Sequence, residues 1–225
     1  SNVKANIGYT ISFVKSSNVE SVKIEFASDG TNFVQIPGAV NITETTYNWT
    51  TPNENYAGAK LRVIDEAAGN IIGEVAFNIV KIKITKPDAA TIWMTGKSFN
   101  IEWEGSGAVQ LHWTTDGGSN WNLIATSASG GSYSWNISDA LSAGSNYQIR
   151  ARLAADNTIL DISPIFKIKK LQLTQPNTAA TNWMIGKGYE IKWTQSMVSE
   201  VDIYYASDGV NYTRLVAEGV NGSLG

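Results

Sequence analysis

The residues able to do chemistry are few, and the first to weigh is an aspartate that recurs. It stands in ASDGTNF (27–33), TTDGGSNW (114–121) and ASDGVNY (206–212) as Asp29, Asp116 and Asp208. Hydrolysis of a glycoside needs paired carboxylates at a fixed separation, and the acids here are mostly scattered on expected strand exteriors and turns. A calcium loop needs several oxygen ligands at alternate positions. TTDGGSN supplies one carboxylate. Asp-Gly between two alternating apolar runs is instead a hairpin signal. The carboxylate accepts hydrogen bonds from the turn's own amides, and glycine takes the positive φ. Asp29, Asp116 and Asp208 are therefore read as structural turn residues, with a sugar contact as the lesser alternative.

Other reactive groups are scarce. His112 is the sole histidine and cysteine is absent. Thiol catalysis, disulfides and cysteine-ligated metal are thereby excluded. One histidine assembles neither a triad nor a metal cluster, so no catalytic residue, metal or cofactor is expected. His112 occupies a polar place in an alternating run and is expected on the outward face of a strand. Aromatic faces stack on sugars, which makes the tryptophans the remaining candidates. Trp103, Trp193 and Phe13 share one repeated inward position, and Trp49 and Trp135 another; these read as core. Trp93 and Trp183 each precede a glycine in a loop-like stretch, and Tyr204 is an outward aromatic peculiar to the third repeat. These three are the candidate binding residues.

The elements that must position these residues follow from internal repetition. IWMTGKSFNIEW (92–103) reappears as NWMIGKGYEIKW (182–193), with Trp93 and Trp183 separated by 183 − 93 = 90 residues. Ninety residues upstream of Trp93 the same frame falls on NVKANIGYTISF (2–13). Tyr47-Asn48-Trp49 matches Tyr133-Ser134-Trp135, and KIKITKP (81–87) matches KLQLTQP (170–176). Three tandem units of about 90 residues result: 1–81, lacking its first strand; 82–170, complete; and 171–225, lacking its last strands.

In the middle unit the pattern predicts strands over 82–86, 97–103, 108–114, 120–126, 132–137, 146–154 and 159–168. Val109, Leu111 and Trp113 alternate with Gln110 and His112, as Val22, Ile24 and Phe26 do with Lys23 and Glu25, and as Val201, Ile203 and Tyr205 do with Asp202 and Tyr204. Successive side chains on a strand point to opposite faces, so each apolar set faces a core. Trp121 and Ile124 are three apart, as are Phe33 and Ile36; a β-bulge accounts for that spacing. Seven short strands with turn signals between them give an all-β fold of tandem Ig/fibronectin-like β-sandwiches.

The run Pro87…Trp93-x-x-Gly96…Ile101-x-Trp103, the Asp-Gly hairpin and Tyr-x-Trp resemble the immunoglobulin/fibronectin-like modules of secreted surface proteins. They are also similar to the Ser/Thr-rich, sometimes GPI-anchored, cell-wall protein domain. The resemblance covers units two and three well. It is weaker in unit one, where Val3 replaces the first Trp and Asn6 the Gly. It implies an extracellular, non-catalytic sandwich within a longer chain, with no shared catalytic residues. TTDGGSNW further resembles an Asp-box, a hairpin pattern that implies stability more than chemistry.

Bulk properties narrow the partners. With 17 basic against 20 acidic residues there is no basic stripe for nucleic acid. No apolar run approaches the roughly 20 residues of a membrane helix. The junctions FNIVKIKITKP and FKIKKLQLTQP contain no Gly or Ser, unlike flexible linkers, so strand is expected to run nearly into strand along a semi-rigid rod. Unit three stops before its Tyr-x-Trp strand, so its missing strands come either from a continuing chain or from a strand-donating copy of itself. The expected function is a structural spacer, stalk or adhesin rod at the cell surface or outside the cell. Its expected partners are neighbouring domains of the same chain. A carbohydrate- or adhesin-type module binding a surface glycan, and accessory domains of a secreted enzyme, are the alternatives.

Overall fold

The computed structural model describes residues 1–178, 181–215 and 219–221. Every regular element among them is a strand. Residues 1–80 hold β1 (Asn2–Lys4), β2 (Gly8–Ser12), β3 (Val22–Ala27), β4 (Val34–Gln35), β5 (Thr46–Thr50), β6 (Tyr56–Asp65) and β7 (Ile71–Val80). One sheet runs β1-β7-β6-β3-β4, and β2 pairs with β5 opposite it. The next stretch holds β8 (Lys83–Lys86), β9 (Ile92–Met94), β10 (Ser98–Glu104), β11 (Val109–Thr114), β12 (Asn122–Ala128), β13 (Ser132–Asn136), β14 (Gly144–Leu153), β15 (Asp156–Ile162) and β16 (Phe166–Gln175). Here β13-β10-β8 forms one sheet. The other runs β12-β11-β14-β16, with β15 on β14 and β9 on β16. The remainder carries β17 (Lys192–Ser196), β18 (Glu200–Val201), β19 (Tyr204–Tyr205), β20 (Thr213–Arg214) and β21 (Val220–Asn221).

Alternation explains the cores. Val109 and Leu111 on β11, and Ile149, Ala151 and Leu153 on β14, are buried between the two sheets with Trp103, Trp135, Phe166 and Ile168. In residues 1–80 the corresponding cluster contains Val22, Ile24, Leu61, Val63, Phe77 and Ile79. Tyr147 supplies a feature the pattern did not reveal. Its ring is buried, and its hydroxyl donates to the Ser142 carbonyl at 2.5 Å. A tyrosine near the start of this strand, bonded back to upstream backbone, is the corner that pins Ig-type sandwiches.

Several expectations are refined. The strand predicted over 159–168 is two strands, β15 and β16, separated at 163–165. Pro164 has no N–H for a ladder. Ser163 bridges the gap instead: its hydroxyl accepts from the Ile149 amide at 2.9 Å, and its own amide donates to the Ile149 carbonyl at 2.8 Å. The strand predicted at 120–126 is displaced to Asn122–Ala128, because Asn120 is held by the Asp116 turn. The bulge inferred from Trp121 and Ile124 is present: Leu111 pairs with Ala125 and His112 with Leu123, leaving Ile124 as the extra residue. β9, which the sequence reads as loop, pairs in parallel with β16. The alternating run at 201–205 breaks into β18 and β19, with Val201 buried but Tyr205 exposed.

At the two junctions strand follows strand. β7 ends at Val80 and β8 starts at Lys83. β16 is continuous: its first part pairs with β14 and its second part with β17. Residues 171–175 meet β17 as β8 meets β10. Among the described residues, β2 has only β5 as a strand partner. The edge that β8 covers on β10 is therefore uncovered on β2, and a groove of about 390 Å³ lies there beside Phe13, Val14, Ile72 and Val75.

Candidate functional site

The three recurrent aspartates sit in three hairpins, between β3 and β4, β11 and β12, and β19 and β20. Asp29 accepts from the amides of Thr31 at 2.9 Å and Asn32 at 2.7 Å, and from the Asn32 side chain. Asp208 repeats this with the amides of Val210 at 2.9 Å and Asn211 at 2.7 Å. Asp116 accepts from the Thr114 hydroxyl at 2.6 Å, the Asn120 amide at 3.0 Å and the Asn120 side chain at 2.8 Å. The glycines that follow, Gly30, Gly117 and Gly209, have φ of 76°, 71° and 75°, a conformation that costs other residues energy. Donors in each turn favour the charged carboxylate. The Asn32 amide holds Asp29 well below its usual range, and the Thr114 hydroxyl does so for Asp116. The Asn211 amide brings Asp208 to about 2. Each acid is spent on its own turn, in a separate hairpin. Among the described residues, no three of His, Asp and Glu group as metal ligands.

The three aromatic candidates are not brought together. Trp93 is buried. It stacks on Phe99 with centroids 5.3 Å apart, and meets Trp135 at 6.0 Å and Phe166 at 5.0 Å edge-on. Its indole is a wall of the core, held there by β9. Trp183 is exposed but lies flat on Tyr189, at 5.0 Å and 2°, so each ring covers a face of the other. Tyr204 is half exposed on the short β19.

The outer face of the sheets carries the polar chemistry, and here His112 departs from expectation. It is 7% exposed rather than on the open surface. Arg150 is its register partner on β14 and lies over the Trp121 ring at 4.4 Å. Long side chains lying along a sheet cover what stands between them. Burial, then the charges of Arg150 and Arg152, push the imidazole below its ordinary pKa. The same register in the first unit holds Glu25 opposite Arg62. There the guanidinium lies over Phe33 at 3.9 Å and reaches Glu25 at 2.6 Å, while Lys23 reaches the other oxygen at 3.0 Å. Burial pushes the Glu25 carboxyl up, but its bonds to Arg62 and Lys23 outweigh this and leave it below its usual value. The signal that the sequence held for this constellation is the alternation of Arg150 and Arg152 with Ile149, Ala151 and Leu153.

Residues 86–168 match the family model of the Kre9/KNH-like N-terminal Ig-like domain. No curated protein matches the chain by sequence. Among solved structures, the chain is similar to an I-band fragment of titin, with 12% identity, 97% of this chain and 78% of that one covered, and a TM-score of 0.37. It is similar to fibronectin(III)-like modules of CbhA from Clostridium thermocellum, with 16% identity, 75% and 87% covered, and a TM-score of 0.24. It is also similar to the N-terminal four Ig domains of a Dscam1 isoform, with 13% identity and a TM-score of 0.36. That likeness covers 76% of this chain and 42% of that one, so the chain spans less than half of that structure. Among the described residues, no helix is long and apolar enough to cross a membrane.

Proposed function

We propose that this chain is a non-catalytic structural segment of an extracellular or cell-surface protein, built as Ig-like units at 1–81, 82–170 and 171–225. The observation that carries this reading is β16, which serves the sheet of the second unit and then, without a break, pairs with β17 of the third. A strand shared in this way fixes the orientation of neighbouring units, which is what a spacer or stalk requires. The match to the Kre9/KNH-like Ig-like domain supports a cell-surface or cell-wall setting. The three aspartates support it as well, since each carboxylate accepts hydrogen bonds from its own turn.

Small-angle scattering of the whole chain tests the reading. An elongated particle, retained when two glycines are inserted after Val80 but shortened when they are inserted after Lys170, is the expected result. A compact particle with flexibly jointed units sinks it. A glycan array run on the same protein separates the spacer from a carbohydrate-binding module: saturable binding lost in Trp183→Ala and Tyr204→Ala would replace the spacer reading with that one.

A further inference from the structure

The outer face of β12, β11, β14 and β15 has a polar composition that the fold does not explain. His112 and Arg150 stand opposite each other, as do Gln110 and Arg152. Leu123 pairs with His112, Ile162 with Arg150, and Leu160 with Arg152. These residues therefore share one face. Two guanidinium groups stand on it, and none of these register partners is an acid. No ion pair to Arg150 or Arg152 is present among the described residues, although six other pairs are. Arg152 donates from Nε to Gln110 at 2.7 Å. Arg150 Nε and His112 Nδ1 are both buried and have no hydrogen-bond partner. Such groups are rare in folded proteins and ask for an explanation.

The first unit provides one. At the same register its arginine is held by an aromatic ring and saturated by a carboxylate, Glu25. The second unit keeps the arginine and the ring but has a histidine where that carboxylate would be. We propose that this face docks an acidic protein segment, whose carboxylates pair from outside the sheet with Arg150 and Arg152, to which no acid is paired among the described residues.

Two features favour a protein segment over an acidic sugar. Leu123 and Ile162 flank the arginines and are 56% and 41% exposed, an apolar rim that protein side chains bury and a polysaccharide does not. The Trp121 face on which a sugar would stack is already taken by Arg150. The spacing adds a further constraint. Arg150 and Arg152 are two residues apart on one strand, about 7 Å, so acids at alternate positions of an extended segment match both. Arginine and tryptophan are also the residues that most often anchor protein interfaces.

The test uses the whole chain and the probe acetyl-Val-Glu-Val-Glu-Val-amide. NMR of the arginine Nε–H groups and calorimetry are expected to show saturable binding that shifts the Arg150 and Arg152 signals. Affinity should fall as salt rises. The glutamine version of the peptide should fail to bind. His112→Glu supplies the carboxylate internally and should weaken the peptide by about tenfold or more, as should Arg150→Gln. Thermal unfolding of each variant confirms that the fold is intact. Arg152→Gln offers a separate check should either of the others fail to fold. Absence of saturable binding, equal binding of the glutamine peptide, or undiminished binding to His112→Glu and Arg150→Gln would each overturn the proposal. Oligogalacturonate binding at least as tightly as the peptide would overturn the protein assignment.

Discussion

At one register, two cross-strand pairs face the same way and end differently. Glu25 meets Arg62 and closes a network that also takes in Lys23; Lys60 meets Glu74 nearby. His112 meets Arg150 and closes nothing. The cores differ in the opposite sense. The second unit places Trp93, Phe99, Trp135, Trp113, Tyr147 and Phe166 in one aromatic chain. The first has Val3 at the place of Trp93, and a groove of about 270 Å³ beside Val3, Tyr9, Trp49 and Phe77. The first unit thus pairs its outer arginine and lacks a ring at the place of Trp93, though Phe26, Trp49, Tyr56 and Phe77 meet in its core, whereas the second has that ring and leaves its outer arginine without an acid. A single sheet plan tolerates either arrangement, because the pairing of backbone groups is indifferent to what stands on the faces.

The largest effect should come from breaking the filled core. Trp93→Ala removes a ring that touches three others, and should destabilise the second unit by about 3 to 5 kcal/mol. Val3→Ala, beside a groove that water already reaches, should cost well under half of that. Two resolved transitions in urea, followed by residue-specific NMR, would separate the units. Equal costs would mean that the aromatic chain is not what holds the second unit.

The outer face should give the next effect. Glu25→Ala leaves Arg62 and Lys23 without their shared acceptor and should cost about 2 kcal/mol, the usual worth of a hydrogen bond to a charged group. His112→Glu should have the opposite sign, raising the second unit's stability by up to about 1 kcal/mol, as expected for an opposite-charge cross-strand pair. A loss of stability in His112→Glu would mean that the two faces are not equivalent. Tyr147→Phe should cost about 1 kcal/mol, since the Ser142 carbonyl that its hydroxyl meets lies in an exposed loop and water can replace the bond.

Much of this was legible in the sequence. Alternation located β3, β10, β11 and β13 to within about a residue, and a three-residue gap disclosed the bulge at Ile124. Asp-Gly gave the three hairpins. The remainder depends on contacts that a binary pattern does not encode. β9 has three residues and is a strand only because β16 lies alongside it. Ser163 looks like a strand residue until Pro164 removes a donor, and its own hydroxyl then serves as the acceptor for the Ile149 amide. Trp93 reads as a loop residue because nothing local says that Phe99 and Phe166 will meet it. His112 alternates as an outward residue, yet it is buried beside its register partner Arg150. Polar-out predicts the face and not the exposure.

The smallest effect is a difference in pH response between the two faces. His112 lies below its ordinary pKa when folded, through burial and the nearby arginines. Its unfolded form titrates near 6.5. Below that pH the unfolded chain binds the proton more readily than the folded one, so stability falls. The contribution is therefore complete above about 6.5 and lost as pH falls toward the folded value. The first unit contains no histidine. Its outer acid, Glu25, is lowered overall, burial being outweighed by its bonds to Arg62 and Lys23, and its contribution is complete above the ordinary carboxylate value and lost as pH falls from there toward the folded one. Between about pH 7.5 and 5.5 the unfolding temperature of the second unit should drop while that of the first stays level. His112→Gln should remove the slope. Both units falling together over this interval, or a slope that survives His112→Gln, would show that the buried imidazole is not what separates the two faces.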